Sequence, residues 1–211
     1  MPEGLSNCVH TGRVKLFWCP QTRAMRTVWL LEEAGLPYER VHIDVRDEAA
    51  KADPDFRRAS PMGKVPALSD GEARLADSTA IALYIADRYP AAKLAPPSYH
   101  VDRAQYAFWM VYSSGYIEPA MVEKFSGTAT NRGTHGWGDF DSMIGTLERG
   151  VEPGPWLLQE RFTAADILVG TSVHFLKVFK VLPASTALEA YLARCNARPA
   201  FQRALAIDRG E

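Results

Sequence analysis

One stretch of the chain combines a turn, a short apolar strand and a helix start, which together can form a small polar binding site. Ser60-Pro-Met-Gly-Lys-Val-Pro-Ala-Leu68 is followed by Asp77-Ser-Thr-Ala-Ile81. Proline and glycine favour the turn, and aspartate or serine favours the helix cap. A helix start beside a hairpin gathers backbone donors, a carboxylate and a hydroxyl, so it suits a small anion and a free amine. From the residues alone, an ordinary hairpin with an ordinary helix cap is the favoured alternative.

The same stretch resembles the glutathione-site signature of the cytosolic glutathione transferase superfamily. The family form is Asn-Pro-x-Gly-x-Val-Pro-x-Leu, followed by Glu/Asp-Ser-x-Ala-Ile. Ser60 stands where the family usually has asparagine, and serine is also a turn-forming residue. The resemblance therefore implies a site for glutathione as a co-substrate.

The resemblance assigns a role to each polar position of the signature. It implies that the Val65-Pro66 peptide is cis and that the Val65 backbone pairs with the cysteinyl part of glutathione. It implies that Asp77 and Ser78 hold the γ-glutamyl end. Lys64 matches a position that often contacts the glycyl carboxylate.

A glutathione enzyme needs a group that lowers the pKa of the thiol from about 8.5. The segment 17–26 follows the first predicted strand and opens the first predicted helix, so it is expected to supply that group. Thr22 matches the Ser/Thr of the Ser-Pro-x-Ser-Arg-x-x-Arg pattern of bacterial transferases and has a hydroxyl to donate. A purely capping role for Thr22 is the alternative.

Cys19 is the second candidate in this segment. Cys19-Pro20 resembles the Cys-Pro of omega-type transferases, which form a mixed disulfide with glutathione. The spacing from Cys19 to Gly35 fits the Ser-Pro form better, which makes a small half-buried side chain the alternative. Arg23 stands where beta-class enzymes have their cysteine, so that mechanism is not expected.

The second substrate is expected between two domains, against the long aromatic helix. The candidate residues that bind it combine aromatic rings and hydroxyls. They are Trp18, Tyr106, Trp109, Ser113 and Tyr116. An aromatic stripe at helical spacing also fits a buried core, so both interpretations stay open.

The composition is that of an ordinary globular protein. The chain has 211 residues, 47% of them hydrophobic, with a net charge of −1, so neither nucleic acid nor an anionic membrane is expected as a partner. Cys8, Cys19 and Cys195 are an odd number without metal spacing, and the five histidines show none either. With no secretion signal in the first residues, the sequence predicts a cytoplasmic protein without a metal.

Hydrophobic periodicity predicts two domains. Strand 14–18, helix 22–34 and strand 38–45 form a βαβ unit, and a charged segment at 47–58, a hairpin and a helix follow it. After residue 100 the strand signals disappear. A helix is expected at 102–123 with a kink at Pro119, then a loop at 126–138 and helices from 140 onward. Thr163 and Asp166 have the spacing of a capping box for a buried central helix.

The expected fold class is therefore α/β plus all-α. The resemblance implies a thioredoxin-like glutathione-binding domain at 12–90, a linker at 91–99 and an all-helical domain at 100–211. It also implies a homodimeric transferase that attacks a small hydrophobic electrophile with glutathione thiolate, a detoxification chemistry. The alternatives are a thiol transferase or disulfide reductase that uses Cys19, and a non-catalytic binding protein of the same fold.

Overall fold

A computed structural model describes residues 14–127 and 131–211. The loose extension expected at 1–11 lies outside the described residues, as do Cys8 and His10. No helix in the described parts is long and apolar enough to cross a membrane.

Four short strands form one mixed sheet in the order β2-β1-β3-β4. They are β1 (Val14–Trp18), β2 (Tyr38–His42), β3 (Ala67–Asp70) and β4 (Ala73–Ala76). β1 and β2 are parallel, and β3 is antiparallel to both β1 and β4. This order and these directions confirm the expected thioredoxin-like arrangement.

The helices of this first part follow the predicted pattern. The crossover between β1 and β2 is α1 (Ala24–Ala34), which ends at Gly35 with a φ of 63°. The charged segment after β2 forms two short helices, α2 (Glu48–Lys51) and α3 (Pro54–Ala59), and the hairpin leads into α4 (Ser78–Arg88). β2 ends at His42, earlier than expected, because the chain turns at 44–47.

The remaining described chain is helical. Its elements are α5 (Arg103–Tyr112), a π-helical turn (Ser113–Ile117), α6 (Glu118–Ser126), α7 (Phe140–Val151), α8 (Ala164–Val178), α9 (Thr186–Asn196) and α10 (Pro199–Arg209). The break expected at Pro119 occurs just before it, in the π-helical turn. A proline ring crowds the carbonyl four residues earlier and donates no N–H, so the preceding turn widens.

The capping box at the start of α8 is confirmed. Asp166 Oδ2 accepts a hydrogen bond from the Thr163 N–H at 2.9 Å, and Oδ1 accepts from the Leu157 N–H at 2.9 Å and from the Tyr191 hydroxyl at 3.1 Å. Burial raises the pKa of Asp166 to about 6. Most of α8 is buried. The crossover helix α1 packs on α8 and on α10, so α1 joins the sheet to the helical part of the chain.

Candidate functional site

Strand register brings three sequence motifs to one edge of the sheet. Ala67 on β3 pairs with Phe17 on β1 and with Ala76 on β4. Pro66, one residue earlier, therefore lies between the end of β1 and Asp77, which follows β4. The Val65-Pro66 peptide is cis, as the resemblance implies.

The turn before Val65 is closed by Ser60. Ser60 is fully buried; its Oγ donates to the Lys64 carbonyl at 2.7 Å and accepts from the Lys64 N–H at 2.8 Å. Gly63 has a φ of +63°, and a Cβ there would lie 2.6 Å from Arg57 Nη1. Serine thus holds this turn without the family's asparagine, and Val65 is fixed at the sheet edge.

Asp77 caps α4. Its Oδ1 accepts from the N–H groups of Thr79 at 2.8 Å and Ala80 at 3.1 Å, and its backbone has a φ of 77°. Ser78 is the first residue of α4 and is 6% exposed. Thr79 Oγ1 donates to Ser114 Oγ at 3.1 Å, which ties this helix start to the π-helical turn. A carboxylate, a hydroxyl and a helix N-terminus therefore stand together beside Pro66.

Thr22 lies in the turn between β1 and α1. Its hydroxyl donates to the Cys19 carbonyl at 2.7 Å and accepts from the Ala24 N–H at 3.2 Å. The contact with Ala24 is a capping contact, although Arg23 is the N-cap residue by backbone position. The side chain is half-buried. Because a hydroxyl has one proton to donate, Thr22 can donate a hydrogen bond to a ligand only by releasing the Cys19 carbonyl.

Cys19 is at the end of β1 and is 8% exposed. Its Sγ lies 3.9 Å from Nε2 of His42, the last residue of β2. Trp18, also 8% exposed, packs its ring edge-on against His42 and beneath the Arg40 guanidinium. Both residues thus contact side chains of the neighbouring parallel strand β2.

A cavity of about 270 Å³ opens beside Thr22, between α1, α6 and the end of α8. One side is apolar and one end is charged. Its lining comprises Gln21, Thr22, Arg23, Arg26, Glu118, Met121, Val122, Phe125, Phe175 and Phe179. The cavity therefore joins the β1–α1 turn to an apolar wall from the helical part.

The charged end is a network across the two parts of the chain. Arg26 is 3% exposed; Nη1 donates to Glu118 Oε1 and Nη2 donates to Ser172 Oγ at 3.0 Å. Burial lowers the pKa of Arg26, and the Glu118 carboxylate opposes this effect. Arg23 Nε lies 2.8 Å from Glu118 Oε2, and Ser113 Oγ lies 3.0 Å from Ser172 Oγ. A carboxylate at the start of α6 thus holds both arginines.

The five residues predicted to bind the second substrate lie outside the lining of this cavity. Tyr106 is fully buried. Trp109 is 4% exposed and lines a separate hollow of about 430 Å³ near Trp156. Ser113 is buried in the serine pair, and Tyr116 stacks on Tyr112 with ring centroids 4.8 Å apart. Trp18 packs on His42, as described above. The aromatic stripe of α5 is therefore largely core.

Sequence reasoning did not single out the apolar wall that the structure shows. Met121, Val122 and Phe125 lie on α6, in a segment where the predicted helix was expected to end. Phe175 and Phe179 lie at the end of α8, where they match the apolar pattern of a buried helix. Phe125 and Phe179 are each more than half exposed, and no periodicity separates such residues from core.

Lys64 lies at a third hollow, of about 330 Å³, which is lined mostly by cationic side chains beside the Gly63 turn. Lys51 and Arg57 share this hollow with it, together with Glu48, which pairs with Lys51. Lys51 and Arg57 were not among the predicted site residues, although their charges on the segment 47–58 were a usable signal. The described residues contain no cluster of three metal-binding side chains.

Comparison with known proteins relates the chain to the glutathione S-transferases. A profile of the glutathione S-transferase N-terminal domain matches residues 12–87. Glutathione S-transferase Z2 of Arabidopsis thaliana is 27% identical over 185 residues, 81% of this chain and 80% of that protein.

Two solved structures extend the match over nearly the whole chain. A glutathione transferase from Methylococcus capsulatus superposes with a TM-score of 0.80 at 27% identity, covering 94% of this chain and all of that one. A sphingomonad glutathione S-transferase complexed with glutathione gives 0.77 at 28% identity over 92% of this chain and 98% of that one. The N-terminal domain match and the similarity along most of the chain both support the glutathione transferase superfamily.

Proposed function

We propose that this protein is a glutathione transferase whose glutathione thiolate attacks a small hydrophobic electrophile. The observation that carries the proposal is the strand register that sets cis Val65-Pro66 beside the capped start of α4 and the end of β1. The turn that follows β1 carries Thr22, which lines a cavity with an apolar wall. Similarity to enzymes named glutathione S-transferase along most of the chain supports it.

Glutathione extends across this edge in the proposed complex. The Val65 backbone pairs with the cysteinyl residue, while Asp77 and Ser78 hold the γ-glutamyl end, where the N-terminus of α4 favours its carboxylate. Lys64, with Arg57 nearby, attracts the glycyl carboxylate. The 28% identical sphingomonad enzyme, solved with glutathione, supports a glutathione site in this fold.

Thr22 stabilises the thiolate in this proposal. The hydroxyl leaves the Cys19 carbonyl and donates to the glutathione sulfur, because a hydrogen bond to a charged acceptor is stronger than one to a neutral acceptor. The thiol proton goes to solvent. The sulfur then forms a bond to the electrophilic carbon, and the leaving group departs with its electron pair.

The cavity of about 270 Å³ is the proposed site for the electrophile, because Thr22 lines it and the wall opposite is apolar. Its small volume fits a substrate of about one aromatic ring. We also propose the homodimer, the cytoplasmic location and the domain limits 12–90, 91–99 and 100–211 that the resemblance implies, with detoxification as the role.

A thiol transferase reaction through Cys19 is the second candidate. The contact between Cys19 Sγ and His42 Nε2 at 3.9 Å favours it, because an imidazole can accept the thiol proton. In this reaction the Cys19 thiolate attacks a glutathione mixed disulfide, binds the glutathione sulfur and releases the other thiol.

Calorimetric titration of reduced glutathione tests the proposed site. We expect the wild type to bind with micromolar to low millimolar affinity and Ser78→Ala to lose measurable binding. Ser98→Ala, an exposed serine between α4 and α5, is the control and should bind like wild type. A wild type that takes up no glutathione would rule out both enzymatic candidates and favour the non-catalytic binding protein.

A further inference from the structure

The electrophile cavity carries more positive than negative charge. Arg23 and Arg26 share a single carboxylate, Glu118, and the three line the same end of the cavity. Glu118 neutralises one guanidinium, so one positive charge is left over among the lining residues. Asp77 also acts on Arg26 electrostatically, but its carboxylate is engaged by the first N–H groups of α4.

The two arginines differ in how they can meet a ligand. Arg26 is 3% exposed and is held by Glu118 and Ser172, and its Nε–H has no hydrogen-bond partner among the described residues. Arg23 has 54% of its side chain exposed, and Nε alone engages Glu118. Its remaining N–H groups are available to an incoming acceptor, since a guanidinium carries five.

The opposite wall suits a flat apolar body. The rings of Phe125 and Phe179 meet edge-to-face with centroids 5.6 Å apart, and Phe175 lies under the Arg26 guanidinium at 5.8 Å. More than half of Phe125 and of Phe179 is exposed, so part of this wall is open to a ligand. Apolar and cationic surfaces thus face one small volume.

We propose that the second substrate is an aromatic or similarly flat electrophile that carries an anionic group, a carboxylate in the simplest case. The ring lies along Phe125 and Phe179, and the carboxylate binds Arg23, which can offer two parallel N–H donors to it. This inference rests on the proposed function, and it names the class of electrophile that the site selects.

The excess charge has a competing explanation. A guanidinium near Thr22 also stabilises the glutathione thiolate, which would raise the rate with every electrophile equally. Selection of an anionic substrate instead changes the ratio of rates between an anionic and a neutral electrophile of the same shape. The ratio therefore separates the two explanations.

The experiment uses a chloronitrobenzoate and the corresponding chloronitrobenzamide. In both, the thiolate sulfur bonds to the ring carbon, the carbon–chlorine bond breaks and chloride leaves. Values of kcat/KM for both probes are measured in wild type, Arg23→Gln and Arg23→Glu. Comparing each variant with wild type cancels the different intrinsic reactivities of the probes.

Arg23→Gln is expected to lower the benzoate-to-benzamide ratio of kcat/KM about fivefold, because this factor corresponds to the interaction free energy of a half-exposed charge pair. Arg23→Glu is expected to lower it further. The control is Arg203→Gln, because Arg203 is also 54% exposed and pairs through Nε with a glutamate, Glu32, on a different surface. It should leave the ratio unchanged.

An unchanged ratio in both Arg23 variants overturns the inference, and an equal loss of kcat/KM with both probes would then favour the competing explanation. If turnover is too slow to measure, the ratio of the affinities of the two S-aryl glutathione products, measured by calorimetry, takes the place of the ratio of kcat/KM values. A wild type that binds neither glutathione nor either product refutes the proposed function itself, and the inference with it. A wild type that conjugates both probes, with a benzoate-to-benzamide ratio that neither Arg23 variant changes, refutes only the inference.

Discussion

Replacing Thr22 by valine removes the hydroxyl and keeps the shape of the side chain, so it isolates the proposed thiolate interaction. A hydrogen bond to a charged acceptor contributes about 1.5–3 kcal/mol. In the free protein the hydroxyl already donates to the Cys19 carbonyl at 2.7 Å. Giving up that bond offsets about 1 kcal/mol of the gain. The net effect therefore corresponds to roughly one pKa unit of the bound thiol, at about 1.4 kcal/mol per unit.

The measurement is the pKa of bound glutathione, followed by the ultraviolet absorbance of its thiolate and by kcat/KM as a function of pH. We expect Thr22→Val to raise this pKa by about one unit and to lower the rate about tenfold below the wild-type pKa. Thr22→Ser keeps the hydroxyl and should stay near wild type.

The same substitution removes the capping contact with the Ala24 N–H at 3.2 Å, so an unfolding measurement must accompany the titration. Loss of a cap costs about 1 kcal/mol of stability. A folded Thr22→Val variant that binds glutathione with the wild-type thiol pKa would show that Thr22 is only a cap. The thiolate would then need another donor.

Three further outcomes follow from the structure. Cys19→Ser should abolish reduction of a glutathione mixed disulfide if the second candidate is correct, and leave conjugation of an aryl chloride intact; intact reduction in this variant would contradict the Cys19 mechanism. Gly150→Ala should destabilise the fold by about 1–3 kcal/mol in denaturant unfolding, because the added Cβ would overlap the Trp109 indole, whereas Gly145→Ala, which faces a flexible arginine end on the same helix, should not. Burial raises the pKa of Asp166 to about 6 from its usual 3.8, so the folded chain holds a proton there more strongly than the unfolded chain. The stability of wild type relative to Asp166→Asn should therefore fall by up to roughly 3 kcal/mol between about pH 4 and pH 6, and a flat difference would contradict the raised pKa.

The glutathione side of the site could be predicted because its determinants are local. Ser60 closes its turn through two bonds to Lys64, four residues on, and Asp77 accepts from the N–H groups two and three residues on. The Thr163 capping box is local in the same way. Such contacts depend on residue type and spacing within a few positions, and a sequence displays both directly.

The electrophile side could not be predicted because it depends on which faces of distant helices meet. Hydrophobic spacing shows that a face is buried without showing what buries it. Tyr106 and Phe125 carry the same signal, yet one is fully enclosed and the other is 54% exposed in the cavity wall. What separates them is the π-helical turn at Ser113–Ile117, which inserts a wider turn and resets the orientation of every later side chain.

The π-helical turn also explains why the charged end of the cavity could not be predicted from the sequence. Glu118 follows it directly and reaches both Arg23 and Arg26, which lie more than ninety residues earlier. Without the wider turn, a regular helix would rotate position 118 by about 100° relative to α5, away from the place where it meets α1. Ser113 and Ser114, at the start of the turn, are bonded to α8 and α4, so its geometry is fixed on two sides. The charge of the proposed electrophile site is therefore set by an irregularity in one helix, while the proposed glutathione site is set by the sheet edge, so substitutions can alter the first without disturbing the second.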